Sequence, residues 1–285
     1  MKLCHYRRPD GAQAVGRIEH NSIFAINMTG GQYRTLTDIL EADNPEEVVE
    51  FLTDREKPIL LEDAVLLAPI DEQEVWAAGV TYKRSKSARM EESEIAADCY
   101  DRVYVSPRPE LFFKATPHRV SGPEEPVRIR KDSNWNVPEP ELALVLNSHM
   151  RLVGFTIGND MSSREIEGDN PLYLPQAKVY DGCCGLGPCI ALATSVSKPE
   201  QLEIQMLVRR KNSVIFTGET SVKQMARTFE NLIGWLKRSN TFPKGVFLLT
   251  GTGIVPDNDF TLEPGDIVEI TIEGIGKLIN PVERG

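Results

Sequence analysis

At 285 residues the chain can hold one large domain or two ordinary ones, and 41% apolar with 26% charged residues is a globular balance. Its 32 Lys+Arg against 42 Asp+Glu leave a net charge of −10. Without a basic excess to neutralise phosphates, a general nucleic-acid or anionic-membrane binder is excluded.

No apolar run approaches the roughly 20 residues of a membrane span, and residues 1–13 lack the apolar stretch of a signal peptide. Five cysteines, an odd and low count, do not make a disulfide scaffold. A cytoplasmic location is expected.

The first part of the chain reads as a small α/β unit. Residues 15–18 and 22–26 are predicted strands about the polar His20-Asn21. Residues 37–40 and 45–52 are predicted helices, the second opening at Asn44-Pro45 with Glu46 and Glu47 in its first turn. A boundary at Leu66-Leu67-Ala68-Pro69 divides the chain into an N-terminal domain, 1–67, and a larger one, 68–285. There the pattern turns strand-rich, with predicted strands over 75–79, 111–114, 141–146, 152–159, 190–193, 204–209, 213–218, 246–250 and 267–272. Gly/Pro/Asp/Asn clusters separate them. One amphipathic helix is predicted from Ser221, with Gln224 completing a capping box and Met225, Phe229, Leu232, Ile233 and Leu236 on one face. The fold class is therefore α+β, mostly β, with a rolled or barrel-like body.

The most informative stretch begins at Val137-Pro138-Glu139-Pro140-Glu141. Residues before proline are driven to extended conformations, and side chains at i and i+2 of an extended chain share a face. Glu139 and Glu141 therefore project side by side. Like charges so placed repel unless a cation or proton lies between them, although two glutamates at an exposed strand start would read the same. The strand ending in Gly158-Asn159-Asp160 adds a third carboxylate, with no histidine or cysteine nearby. An oxygen-only set suits Mg²⁺, Mn²⁺ or Ca²⁺ better than Zn²⁺ or copper. Downstream, Lys178 lies between apolar neighbours. Beside a cation its positive charge would be disfavoured, making it a usable base; by itself it also reads as a snorkelling surface lysine.

Glu-x-Glu on a strand, Asn-Asp-x-x-x-Arg, and a lysine eighteen residues past the aspartate together resemble the fumarylacetoacetate hydrolase superfamily. The segments Pro109-Glu110-Leu111-Phe112-Phe113-Lys114 and Leu249-Thr250-Gly251-Thr252-Gly253 match as well, and the resemblance spans about residues 68–285. It implies a mixed β-roll after a small N-terminal domain, and a homo-oligomer. It further implies Mg²⁺ or a similar ion on Glu139, Glu141 and Asp160, a 2-oxo acid chelated to that ion, and Lys178 beside the substrate.

One departure bears on the chemistry. Carbon–carbon bond hydrolases of the family carry Gly-x-Asn-Tyr-x-x-His-x-x-Glu, whose His/Glu pair activates water. Here Ser85 and Ala88 hold those two positions, and the four histidines, His5, His20, His118 and His149, all lie elsewhere. Serine cannot deprotonate water unaided. The variant Gly-Val-Thr-Tyr-x-Arg-Ser, with Glu167-Gly168-Asp169-Asn170-Pro171, is instead similar to the branch that dehydrates 2-keto-3-deoxy pentonates to 2,5-dioxopentanoate.

On that resemblance Lys178 removes the C3 proton and Glu110, otherwise an ordinary turn glutamate, relays a proton to the leaving C4 hydroxyl. Arg84 and Ser85 are candidates for the substrate's hydroxyl end and Thr252 for its carboxylate, though each also fits an ordinary loop. Arg164 is expected to brace the acids. Residues 83–108 read as a lid or as a solvated helix. Cys183, Cys184 and Cys189 read as small buried thiols. The rival activities are hydrolysis, decarboxylation or isomerisation of another 2-oxo acid. A rival of another class is a non-catalytic protein that binds the ion and a 2-oxo acid, for which a retained Lys178 has no use.

Overall fold

The apolar run after Glu139 folds as the strand Pro140–Leu146, buried along its whole length. Its side chains alternate between two cores: Leu142, Leu144 and Leu146 enter one, Ala143 and Val145 the other. A strand covered on both faces is a central one, and a continuous apolar sequence is what that position demands. The structure, a computed structural model, describes residues 1–8, 10–84 and 102–285. Ser85, Ala88, Cys99 and most of the proposed lid lie outside the described residues.

Pro140–Leu146 pairs antiparallel with Leu152–Asp160 on one side and Val246–Leu249 on the other. The sheet continues through Leu152–Asp160 to Cys184–Leu192 and then to Lys2–Arg7, Gln13–Glu19, Ser22–Ala25 and Ile59–Leu60. In the other direction Val246–Leu249 pairs parallel with Glu74–Gly79, which pairs antiparallel with the edge strand Glu110–Ala115. The N-terminal strands are thus joined to the larger sheet, through Lys2 opposite Ala191 and Leu3 opposite Ile190.

A second sheet of five strands carries Ile204, Met206, Val208, Ile270 and Leu278 into the first core, where Leu232 and Leu236 of the helix Phe229–Leu236 also pack. The opposite core takes Ile39 and Val49 from the two N-terminal helices, Leu36–Leu40 and Pro45–Leu52. Asn44 caps the second of these, accepting a hydrogen bond from the Glu47 amide as its position predicts. The fold is mostly β, in mixed sheets that stay open; the barrel-like alternative is not realised. No helix among the described residues is long and apolar enough to cross a membrane.

One predicted element is corrected. Ser221 does not cap a helix: the strand Ser213–Ser221 runs on to it, because Thr220 and Ser221 pair with Ile204 and Glu203. A short 3₁₀ turn follows, and the helix begins at Phe229 with Thr228 as its cap, accepting from the Asn231 amide at 3.2 Å. Several strands escaped the pattern, the longest being Lys2–Arg7 and Gly276–Arg284, which carry polar residues and Pro281.

Candidate active site

Strand register assembles the acids. Pro140 stands opposite Asn159, so Glu139, one residue earlier, faces Asp160, whose amide donates to the Glu139 carbonyl at 2.9 Å. Glu141 stands opposite Gly158. One oxygen from each of Glu139, Glu141 and Asp160 lies within 4.8 Å of the others, and all three side chains are buried.

Buried carboxylates need partners or a cation. Lys178 ends the short helix Leu174–Lys178 and is buried, so the snorkelling alternative does not hold. Its Nζ donates to Glu139 Oε2 and Asp160 Oδ2, each at 3.1 Å, and to Ser162 Oγ at 2.6 Å. Arg164 Nη2 lies 3.1 Å from Glu139 Oε1, the brace expected of it. Glu141 is held by the Gly251 amide, which donates to Oε2 at 2.5 Å. Gly251 has φ +90°, and a side chain there would collide with the Thr81 hydroxyl, itself bonded to the Thr250 carbonyl at 2.7 Å. The glycine is therefore a condition for that amide's approach.

Lys114 closes both the predicted strand 111–114 and the matching segment Pro109–Lys114. It lies on the strand Glu110–Ala115, with no exposure to solvent, and its Nζ sits 2.5 Å from Asp160 Oδ1. Burial alone would push its ammonium group down, but the Asp160 carboxylate beside it more than offsets that and holds it above the ordinary lysine value. The same strand turns Glu110 and Phe112 into the cavity that contains the acids, and the Phe112 ring centroid lies 5.6 Å from Lys178 Nζ. Residues 110, 112 and 114 have the period-two spacing of one strand face, the sequence signal that would have marked Phe112 and Lys114. Glu167, buried on the helix Arg164–Asp169, and Thr252 also line the cavity.

Five carboxyl groups thus gather around the cavity: Glu110, Glu139, Glu141, Asp160 and Glu167. Among the described residues, Lys178 and Arg164 face Glu139, and Lys178 and Lys114 face Asp160. Glu139, Glu141 and Asp160 are thereby crowded together away from solvent. The strain shows at Glu141: burial, then repulsion from Asp160 and Glu139, raises its carboxyl well above the ordinary range, with Lys178 and the Gly251 amide pulling the other way. An all-oxygen, buried, electron-rich trio fits Mg²⁺ or a similar hard ion.

None of the four histidines is among the described residues lining the cavity. Arg84 stands outside it, with its side chain 48% exposed and 3.5 Å from Asp257 Oδ1. Cys4, Cys183, Cys184 and Cys189 are free and buried, and burial pushes the Cys189 thiol up to about 12, away from reactivity.

Residues 74–283 match the model of the fumarylacetoacetate (FAA) hydrolase C-terminal family. The chain is 51% identical over 214 residues to a probable 2-keto-3-deoxyxylonate dehydratase of Haloferax volcanii, covering 75% of this chain and 73% of that protein. It is 43% identical over 231 residues to the 2-dehydro-3-deoxy-D-arabinonate dehydratase of Saccharolobus solfataricus, covering 80% and 78%. Among solved structures, a 2-keto-3-deoxy-D-arabinonate dehydratase complexed with magnesium and 2,5-dioxopentanoate superposes with a TM-score of 0.88 at 38% identity, over 100% of this chain and 99% of that one. The chain belongs to the fumarylacetoacetate hydrolase family.

Proposed function

We propose that this protein dehydrates a 2-keto-3-deoxy pentonate, the arabinonate or the xylonate, to 2,5-dioxopentanoate with a divalent ion, Mg²⁺ by preference. The observation that carries the reading is the buried Glu139–Glu141–Asp160 trio with Lys178 in the same cavity, in a chain so similar to enzymes named for that reaction. Glu139, Glu141 and Asp160 are the residues that would hold the ion, which when bound supplies Lewis acidity to a chelated 2-keto carboxylate.

Lys178, neutral at that moment, takes a proton from C3, and the ammonium it becomes is received by Glu139, Asp160 and the Ser162 hydroxyl. Glu110 gives a proton to the C4 hydroxyl, which leaves as water. Proton shifts from C5 to C3, and from the resulting enol oxygen to C4, leave the terminal aldehyde. Thr252, lining the same cavity, is assigned to the substrate carboxylate. Arg84 and Ser85 remain proposed for the hydroxyl end, and their pocket contact is what a complex with substrate would test. The absence of a histidine from the described lining supports elimination of water over hydrolysis. A homo-oligomer in the cytoplasm completes the reading.

The test is direct. Purified protein with Mg²⁺ should form aldehyde from 2-keto-3-deoxy-arabinonate or -xylonate. Turnover of neither, with cleavage of an acylpyruvate, would replace the dehydratase by a hydrolase. Inertness toward every 2-oxo acid would leave a binding protein.

A further inference from the structure

The cavity accounts for Lys178, but not for a second lysine behind it. Lys114 is buried completely, is not among the residues lining the cavity, and has no route to a substrate. Its ammonium nevertheless donates to two carbonyls, Met161 at 2.8 Å and Lys178 at 2.5 Å, and forms an ion pair with Asp160 Oδ1 at 2.5 Å.

We propose that Lys114 is a positioning residue that fixes Lys178, by closing a ring made of an ion pair with Asp160 and a hydrogen bond to the backbone of Lys178 itself. The ring runs from Lys114 Nζ to Asp160 Oδ1, across the carboxylate to Oδ2, on to Lys178 Nζ, and back through the Lys178 main chain to its carbonyl and Lys114. Asp160 thereby gives one oxygen to each lysine, which sets the plane of its carboxylate.

The helix bearing Lys178 is only five residues long and cannot hold its own last turn firmly. The carbonyl of Lys178 lies at its C-terminal end, where intrahelical donors run out and a cation is favoured. Lys114 supplies both the donor and the charge. Lys178 is consequently held at two ends: its tip by Ser162, Glu139 and Asp160, its backbone by Lys114. Through the Met161 carbonyl the same ammonium also fixes the chain next to Asp160.

This inference rests on Lys178 being the base, so wild-type turnover is established first; its failure would strike the proposed function and leave the geometric tests standing. For Lys114→Met the expected result is a fall in kcat of at least tenfold with KM changed less than threefold. The primary isotope effect with substrate deuterated at C3 should rise, because a displaced Lys178 makes C–H cleavage slower relative to other steps. Mg²⁺ affinity, titrated calorimetrically without substrate, should equal or exceed wild type, since a positive charge has been removed while the acidic trio remains. Lys114→Arg should not restore kcat, because a planar fork cannot make two hydrogen bonds and an ion pair from one nitrogen.

A folded Lys114→Met enzyme with kcat within twofold of wild type and an unchanged isotope effect would overturn the assignment. So would Mg²⁺ binding weakened tenfold, which would mean that Lys114 holds the acids together. Should the variant not fold, a crystal structure of the wild-type enzyme with Mg²⁺ decides: Lys114 Nζ must remain on Asp160 and on the Lys178 carbonyl, and its departure from either would overturn the assignment.

Discussion

The Glu110 carboxylate lies directly over the α-carbon of Gly79, its partner across the ladder, so that even a methyl group on the glycine would overlap it. Gly79 thus keeps Glu110 in the cavity by having no side chain. Gly79→Ala should swing the flexible carboxylate aside and reproduce the kinetics of Glu110→Gln. Both should lose on the order of 10²-fold in kcat, the lower part of the usual range for a proton-transferring group. Mg²⁺ affinity should hold in both, since neither residue belongs to the acidic trio. Steady-state kinetics beside calorimetric titration checks this, and a fully active Gly79→Ala would remove Glu110 from the mechanism.

Lys178→Met removes the group that bridges Glu139 and Asp160. Turnover should fall by about 10²- to 10⁴-fold, measured as aldehyde formation at saturating Mg²⁺ and substrate. Binding of Mg²⁺ should not weaken, because two carboxylates are released from an ammonium ion. Retained turnover would show that another group takes the C3 proton.

Glu141 is held charged only against burial and against its two acidic neighbours. Glu141→Gln should therefore raise the melting temperature of the metal-free protein. In the wild type, Mg²⁺ at a hundredfold over its dissociation constant should add about 2.7 kcal/mol of stability, and that gain should vanish in Glu141→Gln or on chelation. Thermal unfolding with and without Mg²⁺ gives both quantities. A metal-induced shift that survives the substitution would take Glu141 out of the ligand set.

His5 supplies a pH dependence remote from the cavity. Burial lowers its value below the ordinary 6.5, although Asp71, 3.4 Å from Nε2, and the Ala68 carbonyl both favour the charged form. The unfolded chain therefore binds this proton more readily than the native one. Its contribution to stability is complete above about pH 6.5 and is lost as pH falls below that value through the lowered native one. Melting temperatures should decline more steeply across that window in wild type than in His5→Gln, and parallel curves would contradict the assignment.

Much of this architecture is legible in the sequence. Proline fixed the extended conformation about Glu139 and Glu141, and an unbroken apolar run identified a central strand, because both readings rest on local backbone rules. What escaped depends on neighbours distant in sequence. Ser221 looked like a helix cap until pairing with Glu203 extended its strand. Lys114 is in the sequence only the last residue of a predicted strand and of a matching segment, since nothing near it in the chain announces Asp160 or the Lys178 carbonyl. Arg84 drew attention by its place in a matching segment, whereas its exposure is a property of the folded surface.

The seating of Lys2–Arg7 against Cys184–Leu192 has a practical bearing on any shortened version of the protein. Deleting the first sixty-odd residues would uncover the hydrogen-bonding groups of Ile190 to Leu192, beside a broad greasy surface that Ile39 and Val49 now shield. An unprotected edge of that kind recruits other chains. A truncated enzyme would precipitate before its catalysis could be judged, although every residue assigned to the reaction would still be present.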